Sequence, residues 1–280
     1  MSKALIFRKV NPAKNLRHII RYFWWIELNC GNGTEKFSER IFPDGSSEMV
    51  FHFGDRVNRI AADNRSQPEP GCFLAGQNTS HYDITARGCL RMIGAKFHAH
   101  TASFLIRENA RRFNDTVVDL AAIWGDRVKS IHERIADAAT MEDRISVLEH
   151  FFCEQFRHEG GVKFEYLNSA VRQIVESHGC AALPQIAMEL GVTTRYLEKL
   201  FLAHVGISPK LFAQINQLQN GVRLLNRDKT KSLTEICYQS GYYDQSHFIR
   251  AIKRFTGLKP SQLQREEMVT QQPFLDALAS

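Results

Sequence analysis

Two stretches of the chain repeat one pattern, and this repeat restricts the fold more than any other feature. Residues 183–212 read LPQIAMELGVTTRYLEKLFLAHVGISPKLF, and residues 232–263 read SLTEICYQSGYYDQSHFIRAIKRFTGLKPSQL. In each, a short run with apolar residues three and four apart precedes a glycine, a second amphipathic run, another glycine and a proline. The turn glycines Gly191 and Gly241 lie 50 residues apart (241 − 191), whereas Gly206 and Gly257, like Pro209 and Pro260, lie 51 apart. One extra residue in the second turn accounts for the difference.

Each copy is expected to form two helices joined by a tight turn. In the first, Pro184 can open a helix whose inner face is Leu183, Ile186, Ala187 and Leu190, and Gly191 supplies the turn. The next helix turns Leu197, Leu200, Phe201 and Val205 inwards. In the second copy Ser232 and Glu235 form an S-x-x-E capping box, Leu233, Ile236 and Cys237 face in, and Phe248, Ala251, Ile252 and Phe255 line the following helix. A single hairpin of this kind is a weak signal. Two with matched Gly and Pro landmarks are a specific mark of paired helix-turn-helix units. Between them Ser208 can cap, and Pro209 begin, a linking helix to about Leu225 with the apolar stripe Phe212, Ile215, Leu218, Val222 and Leu225. Gly221 sits inside that helix at a cost of about 1 kcal/mol relative to Ala, and nothing in the sequence accounts for it.

The free faces suit DNA. An α-helix fits the major groove, and side chains near its N-terminal end reach base edges. In the second unit these are Gln245, Ser246, His247 and Arg250; Arg can fork onto guanine, Gln onto adenine. In the first they are Thr194, Arg195, Glu198 and Lys199, where Glu198 can accept from a cytosine amino group or pair with a neighbouring cation. Taken singly, each can be an ordinary solvated residue. Lys210, Lys253, Arg254 and Lys259 are the expected phosphate contacts. A rigid linker would hold both helices against successive major grooves, about 34 Å apart, with the DNA bent where the spacing is shorter. Charge agrees: residues 161–265 carry 14 Lys+Arg against 7 Asp+Glu, while residues 1–160 carry 22 against 20 and residues 266–280 three acids and no base.

Residues 162–265 resemble the AraC/XylS family of bacterial transcription regulators. The resemblance rests on IAMELGVTTRYLEKLF…GISP, on a linking helix ending in RLL, and on ICYQSGYYDQSHFIRAIKRFTGLKPSQL. Ile252 stands where the family usually has Phe, and Gly221 interrupts the linker; neither touches the base-reading face. The resemblance implies that this domain binds double-stranded promoter DNA. It also implies an N-terminal domain, commonly a small β-barrel, that senses a small-molecule effector or dimerises. RNA polymerase is the expected protein partner of such a regulator, whether it activates or represses.

The fold class is therefore α+β. Residues 1–158 are expected to form a β-rich barrel or sandwich, cupin-like, with trailing helices; 162–265 the double helix-turn-helix domain; and 266–280 a tail. RYFWWIEL, SSEMVFHF and CLRMIGAKFH read as short strands separated by turn signals at 43–46, 67–71 and 86–88, and the texture is helical from 101 to 158. Gly160 and Gly161 mark the boundary, and Gly179 is the expected C-cap of the helix bearing Leu167, Ala170, Val171, Ile174 and Val175. In RISVLEHFFCEQF, Ile145, Leu148, Phe151, Phe152 and Phe156 share a face that either packs internally or makes a homodimer through the 145–156 helix.

The chemistry of the N-terminal half is less legible. His98 and His100 would share a face of a strand, and with His52 and His81 they raise a rival reading, a cupin-like metal-dependent enzyme domain fused to the DNA-binding module. No further ligand at motif spacing completes a set, so no metal, no other cofactor and no catalytic residue is expected. Phe23, Trp24, Trp25, Phe51 and Phe53 can wall an effector cavity, though aromatic residues in strands are more often core. Arg40 and Asp44 can orient a ligand or pin the intervening turn. Six cysteines with no CxxC pair read as reduced thiols. No run approaches the roughly 18–20 apolar residues of a membrane span, and no signal peptide is evident, so a cytoplasmic protein without a membrane partner is expected.

Overall fold

The computed structural model describes residues 5–29, 36–156, 161–227 and 230–265. The β-rich part contains β1 (Leu5–Val10), β2 (Ile20–Asn29), β3 (Lys36–Ile41), β4 (Glu48–His52), β5 (Val57–Ala61), β6 (Ser66–Pro68), β7 (Cys72–Ala75), β8 (Tyr82–Arg87), β9 (Cys89–Phe97) and β10 (Val117–Asp119). One sheet runs β1-β2-β9-β4-β7-β10 and the other β3-β8-β5-β6, with antiparallel pairing throughout. They form a sandwich and not a closed barrel. Two details depart from expectation. Pro68, in a stretch read as a turn, pairs with Asn58 in the edge strand β6, where proline's missing N–H does no harm. β10 adds an edge strand inside the stretch read as helical.

The larger sheet is covered on both faces, which is why its strands read as continuous apolar runs. From β2, Tyr22, Trp24, Ile26 and Leu28 pack towards the smaller sheet, while Phe23 and Trp25 pack the other way. Phe51 is buried in that second layer and Phe53 packs against it. Of the five aromatics considered for a cavity wall, only Trp24 faces the space between the sheets. Trp24 pairs with Gly94 of β9, and a Cβ there would collide with its indole.

The outer face of the larger sheet is covered by α1 (Thr101–Ile106), α2 (Ala121–Trp124), α3 (Asp126–Asp137) and α4 (Met141–Gln155). A Thr140–Asp143 capping box starts α4. Its Ile145, Leu148, Phe151 and Phe152 are buried, and the Phe152 ring lies 6.2 Å from Phe23 and 5.5 Å from Phe97. This face packs internally. A homodimer through the same face would have to open the core.

The helical part comprises α5 (Val162–Glu176), α6 (Leu183–Glu189), α7 (Thr194–His204), α8 (Pro209–Arg227), α9 (Leu233–Gln239), α10 (Gln245–Thr256) and α11 (Pro260–Leu263). The C-cap of α5 is Ser177, not Gly179; Gly179 follows at φ +81°, donates to Ile174 O at 2.7 Å and lies against the α8 backbone at Ala213. Gly160 and the 266–280 tail lie outside the described residues. Gly221 now has a reason: a Cβ there would stand 2.7 Å from Phe248 Cε2, so its absence lets α8 approach α10. The five described cysteines are free thiols, and Cys30 lies outside the described residues. Among the described residues no helix is long and apolar enough to cross a membrane.

Candidate nucleic-acid interface

The two helix-turn-helix units are built by the same local chemistry. Gly191 and Gly241 adopt φ +66° and +77°, a region that side chains with a Cβ avoid, and so turn the chain after α6 and α9. Thr193 Oγ then accepts the Tyr196 N–H at 3.2 Å at the start of α7, and Asp244 Oδ1 accepts the His247 N–H at 2.7 Å at the start of α10. Residues 181–189 and 231–239 follow one order of burial position by position, with Ile186–Ala187 and Ile236–Cys237 as the buried pairs. The Ser232–Glu235 capping box is present on α9, whereas α6 has no side-chain cap at Ala182.

Gln245, Ser246, His247 and Arg250 are exposed together on the N-terminal half of α10. Gln245 Nε2 donates to Thr234 Oγ on α9, Arg250 Nε donates to Ser246 O at 3.3 Å, and the His247 ring stands edge-on to Tyr242 at 5.2 Å. On α7, Arg195, Glu198 and Lys199 are exposed and Thr194 is half-buried. Counting from the caps (244 − 193 = 51) pairs Thr194 with Gln245, Arg195 with Ser246 and Lys199 with Arg250. It also pairs Tyr196, absent from the sequence-based set, with His247, while Glu198 falls opposite Ile249. Tyr196 is 36% exposed. The offset of 51 between Gly206 and Gly257 is the signal that points to it. Lys210, Lys253, Arg254 and Lys259 are exposed around these helices, with the Arg254 guanidinium 5.0 Å above the Phe255 ring. Among the described residues none of these cations is paired with a carboxylate.

The family described as Helix-turn-helix domain matches residues 186–266. Residues 186–266 are an AraC-type helix-turn-helix domain. Residues 8–119 match the family described as Domain of unknown function (DUF6597). No curated protein matches the chain. Among solved structures the chain is similar to ToxT from Vibrio cholerae O395, with 13% identity over 88% of this chain and 98% of that one and a TM-score of 0.43. For ToxT of V. cholerae strain SCE256 bound to an unsaturated fatty acid the values are 14%, 94%, 96% and 0.45. An AraC-type regulator from Chromobacterium violaceum is 24% identical over 36% of this chain and 90% of that one, with a TM-score of 0.34.

The β-rich part touches the AraC-type domain at equivalent corners of its two units. After α7, Asn114 Nδ2 donates to Gly206 O at 2.7 Å. Beside it the His204 ring stacks on Phe104 at 4.4 Å, and His204 Nδ1 meets Ser103 Oγ at 3.1 Å. Because the Ser103 hydroxyl donates to His100 O, His204 Nδ1 carries the proton here. After α10, Arg40 Nη1 donates to Thr256 O at 3.4 Å while its fork holds Asp83 at 2.8 and 3.1 Å. Gly206 and Gly257 both have positive φ, and a Cβ on either would strike the β-rich part: Asn114 at the first, His81 at the second. Gln219 of α8 donates to Pro43 O. Arg40 thus reaches across to the AraC-type domain, and Asp44 pins its own turn by accepting the Ser46 N–H at 2.9 Å and pairing with Lys96 at 2.6 Å.

The histidines do not share a strand face. β9 ends at Phe97, so His98 lies in the following loop with Nε2 2.9 Å from Arg17 O, and His100 is the residue before α1. His100 is fully buried with no partner on either ring nitrogen among the described residues, and burial pushes its pKa down to about 3. His52 pairs with Glu69 at 3.2 Å. Among the described residues no group of three or more His, Cys, Asp or Glu is placed to hold a metal ion.

Proposed function

We propose that the protein is a sequence-specific DNA-binding transcriptional regulator that inserts α7 and α10 into successive major grooves. The observation that carries this reading is the pair of N-capped helices with matching exposed polar faces on one linking helix. In the second unit Gln245, Ser246, His247 and Arg250 read base edges. In the first, Thr194, Arg195 and Lys199 do so, with Tyr196 added by register and Glu198 at the flank. Lys210, Lys253, Arg254 and Lys259 hold phosphates, and their contribution weakens with salt.

The β-rich part acts as the sensor. Gln219 of α8 lines the hollow between its sheets, so a small-molecule effector seated there can touch the helix that sets the spacing of the two units. The regulator works in the cytoplasm through contact with RNA polymerase, and it is not an enzyme. The test is selection of the purified protein on a random-sequence DNA pool at two salt concentrations. Two short enriched blocks about ten base pairs apart are expected. Binding without enrichment and with steep salt dependence would reduce the protein to a backbone binder.

A further inference from the structure

The hollow between the sheets has a charge balance that restricts what can enter it. We propose that it binds an amphiphile with a cationic amine head and an apolar body, which rests on the reading of the β-rich part as an effector sensor. Trp24, Phe73, Tyr82, Ile84 and Met92 supply an apolar, largely aromatic wall. The ionisable groups lining it, besides the Tyr82 hydroxyl, are Asp44, Glu48, Glu69 and Lys96, three carboxylates to one ammonium.

That ammonium is already engaged. Lys96 is 6% exposed and pairs with Asp44 at 2.6 Å and Glu48 at 3.3 Å. Burial works against its charge, but the two carboxylates together outweigh burial and hold its pKa above the ordinary lysine value. Glu48 Oε2 also accepts the Trp24 indole N–H at 3.2 Å, and Glu69 Oε2 faces His52 Nε2 at 3.2 Å. The second oxygen of Glu48 and of Glu69 has no hydrogen bond among the described residues. Two other cations stand close by without lining the hollow: Arg59 lies on the Tyr82 ring, 3.4 Å from its centroid, and donates to Asn78, and Arg21 donates to Ser46 Oγ at 2.9 Å.

An entering carboxylate would lose its water to face three like charges and an ammonium bridged between two of them, a burial without compensation. An ammonium head reverses the balance. The second oxygens of Glu48 and Glu69 accept its N–H groups, and the face of Trp24 favours a cation, whereas Tyr82 already carries Arg59.

The test is calorimetric titration of the full-length protein with three probes sharing one body: 4-phenylbutylamine, 4-phenylbutan-1-ol and 4-phenylbutyrate. The amine is expected to bind about tenfold or more tighter than the butyrate, with the alcohol between them. Glu69→Gln and, separately, Glu48→Gln should shrink the amine's advantage while leaving the alcohol's affinity near that of the unaltered protein; if one variant does not fold, the other decides. Equal or tighter binding of the butyrate, or binding of none of the three, overturns the proposal. The regulator reading is judged apart, by enrichment in the DNA selection with no probe present.

Discussion

The two helix-turn-helix units bury equivalent residues in the same order, yet they differ in how they are held. The first helix of the second unit has a capping box and that of the first unit has none. In the second unit α10 presses Phe248 onto Gly221 of the linker; in the first unit Phe201 meets Phe212 of the same linker at 5.9 Å. The corner after α7 meets the Asn114 amide, with His204 of α7 against the Ser103 hydroxyl, while the corner after α10 meets the Arg40 guanidinium. A repeated sequence therefore repeats local structure, and the surroundings make the copies unequal.

The largest break in that comparison should come from the core. Phe248→Ala and Phe201→Ala should each cost about 3–5 kcal/mol in urea unfolding, since both rings are fully buried. Only Phe248 faces a glycine. Gly221→Ala alone should destabilise by about 1–3 kcal/mol through overpacking, and in the Phe248→Ala background it should become stabilising by about 1 kcal/mol as helix propensity takes over. Simple additivity of the two changes would refute the contact between α8 and α10.

The histidine corner distinguishes the units by pH. The pKa of His100 falls from 6.5 to about 3 on folding, through burial first and then the charges of His98 and His204. Those of His98 and His204 are also lowered by burial, with Arg21 and His18 adding to the first and Lys163 to the second. Above pH 6.5 both folded and unfolded chains hold His100 neutral; as pH falls from 6.5 towards 3 the unfolded chain binds the proton first, so stability is lost across that window. For His100 the slope should approach about 1.4 kcal/mol per pH unit. His100→Leu should flatten it, and an unchanged slope would mean that His100 does not take up a proton on unfolding.

On DNA, Arg250→Ala should cost about 1–3 kcal/mol on a selected site and relax base choice in one block, and Lys199→Ala should do the same in the other. An equal loss on random DNA would make either a phosphate contact. The smallest effects concern the caps: Ser232→Ala should cost about 1 kcal/mol, and Ala182→Ser should add a smaller amount to the uncapped unit. If both changes are neutral in thermal unfolding, the caps do not account for the asymmetry.

The helical part was largely legible because its signals are short-range. Apolar residues three and four apart, the S-x-x-E box, Pro209 at a helix start and glycines at the turns act within a few residues of one another, and the structure places them accordingly. The exposed polar residues of α7 and α10 were legible one by one, and the register counted from the caps sets Tyr196 beside them. The strands RYFWWIEL, SSEMVFHF and CLRMIGAKFH were also visible, since aromatic and β-branched runs between turns have few other uses.

Other decisions belong to the tertiary structure. A strand covered on both faces carries no polar side to orient it, so nothing in FWW says that Trp24 faces the hollow while Phe23 and Trp25 face the helices. Gly221 looked like a defect until Phe248, distant in sequence, stood against it. The apolar face of α4 was equally suited to a partner or to the larger sheet. Arg40 gave no sign that it reaches α10. By itself, then, the sequence determined the repeat, the helices and their outward polar faces, because periodicity, capping and turn chemistry are local. Tertiary structure alone decided which layer each face buries against, which carboxylates share Lys96 and where the two parts touch, because those contacts join residues far apart along the chain.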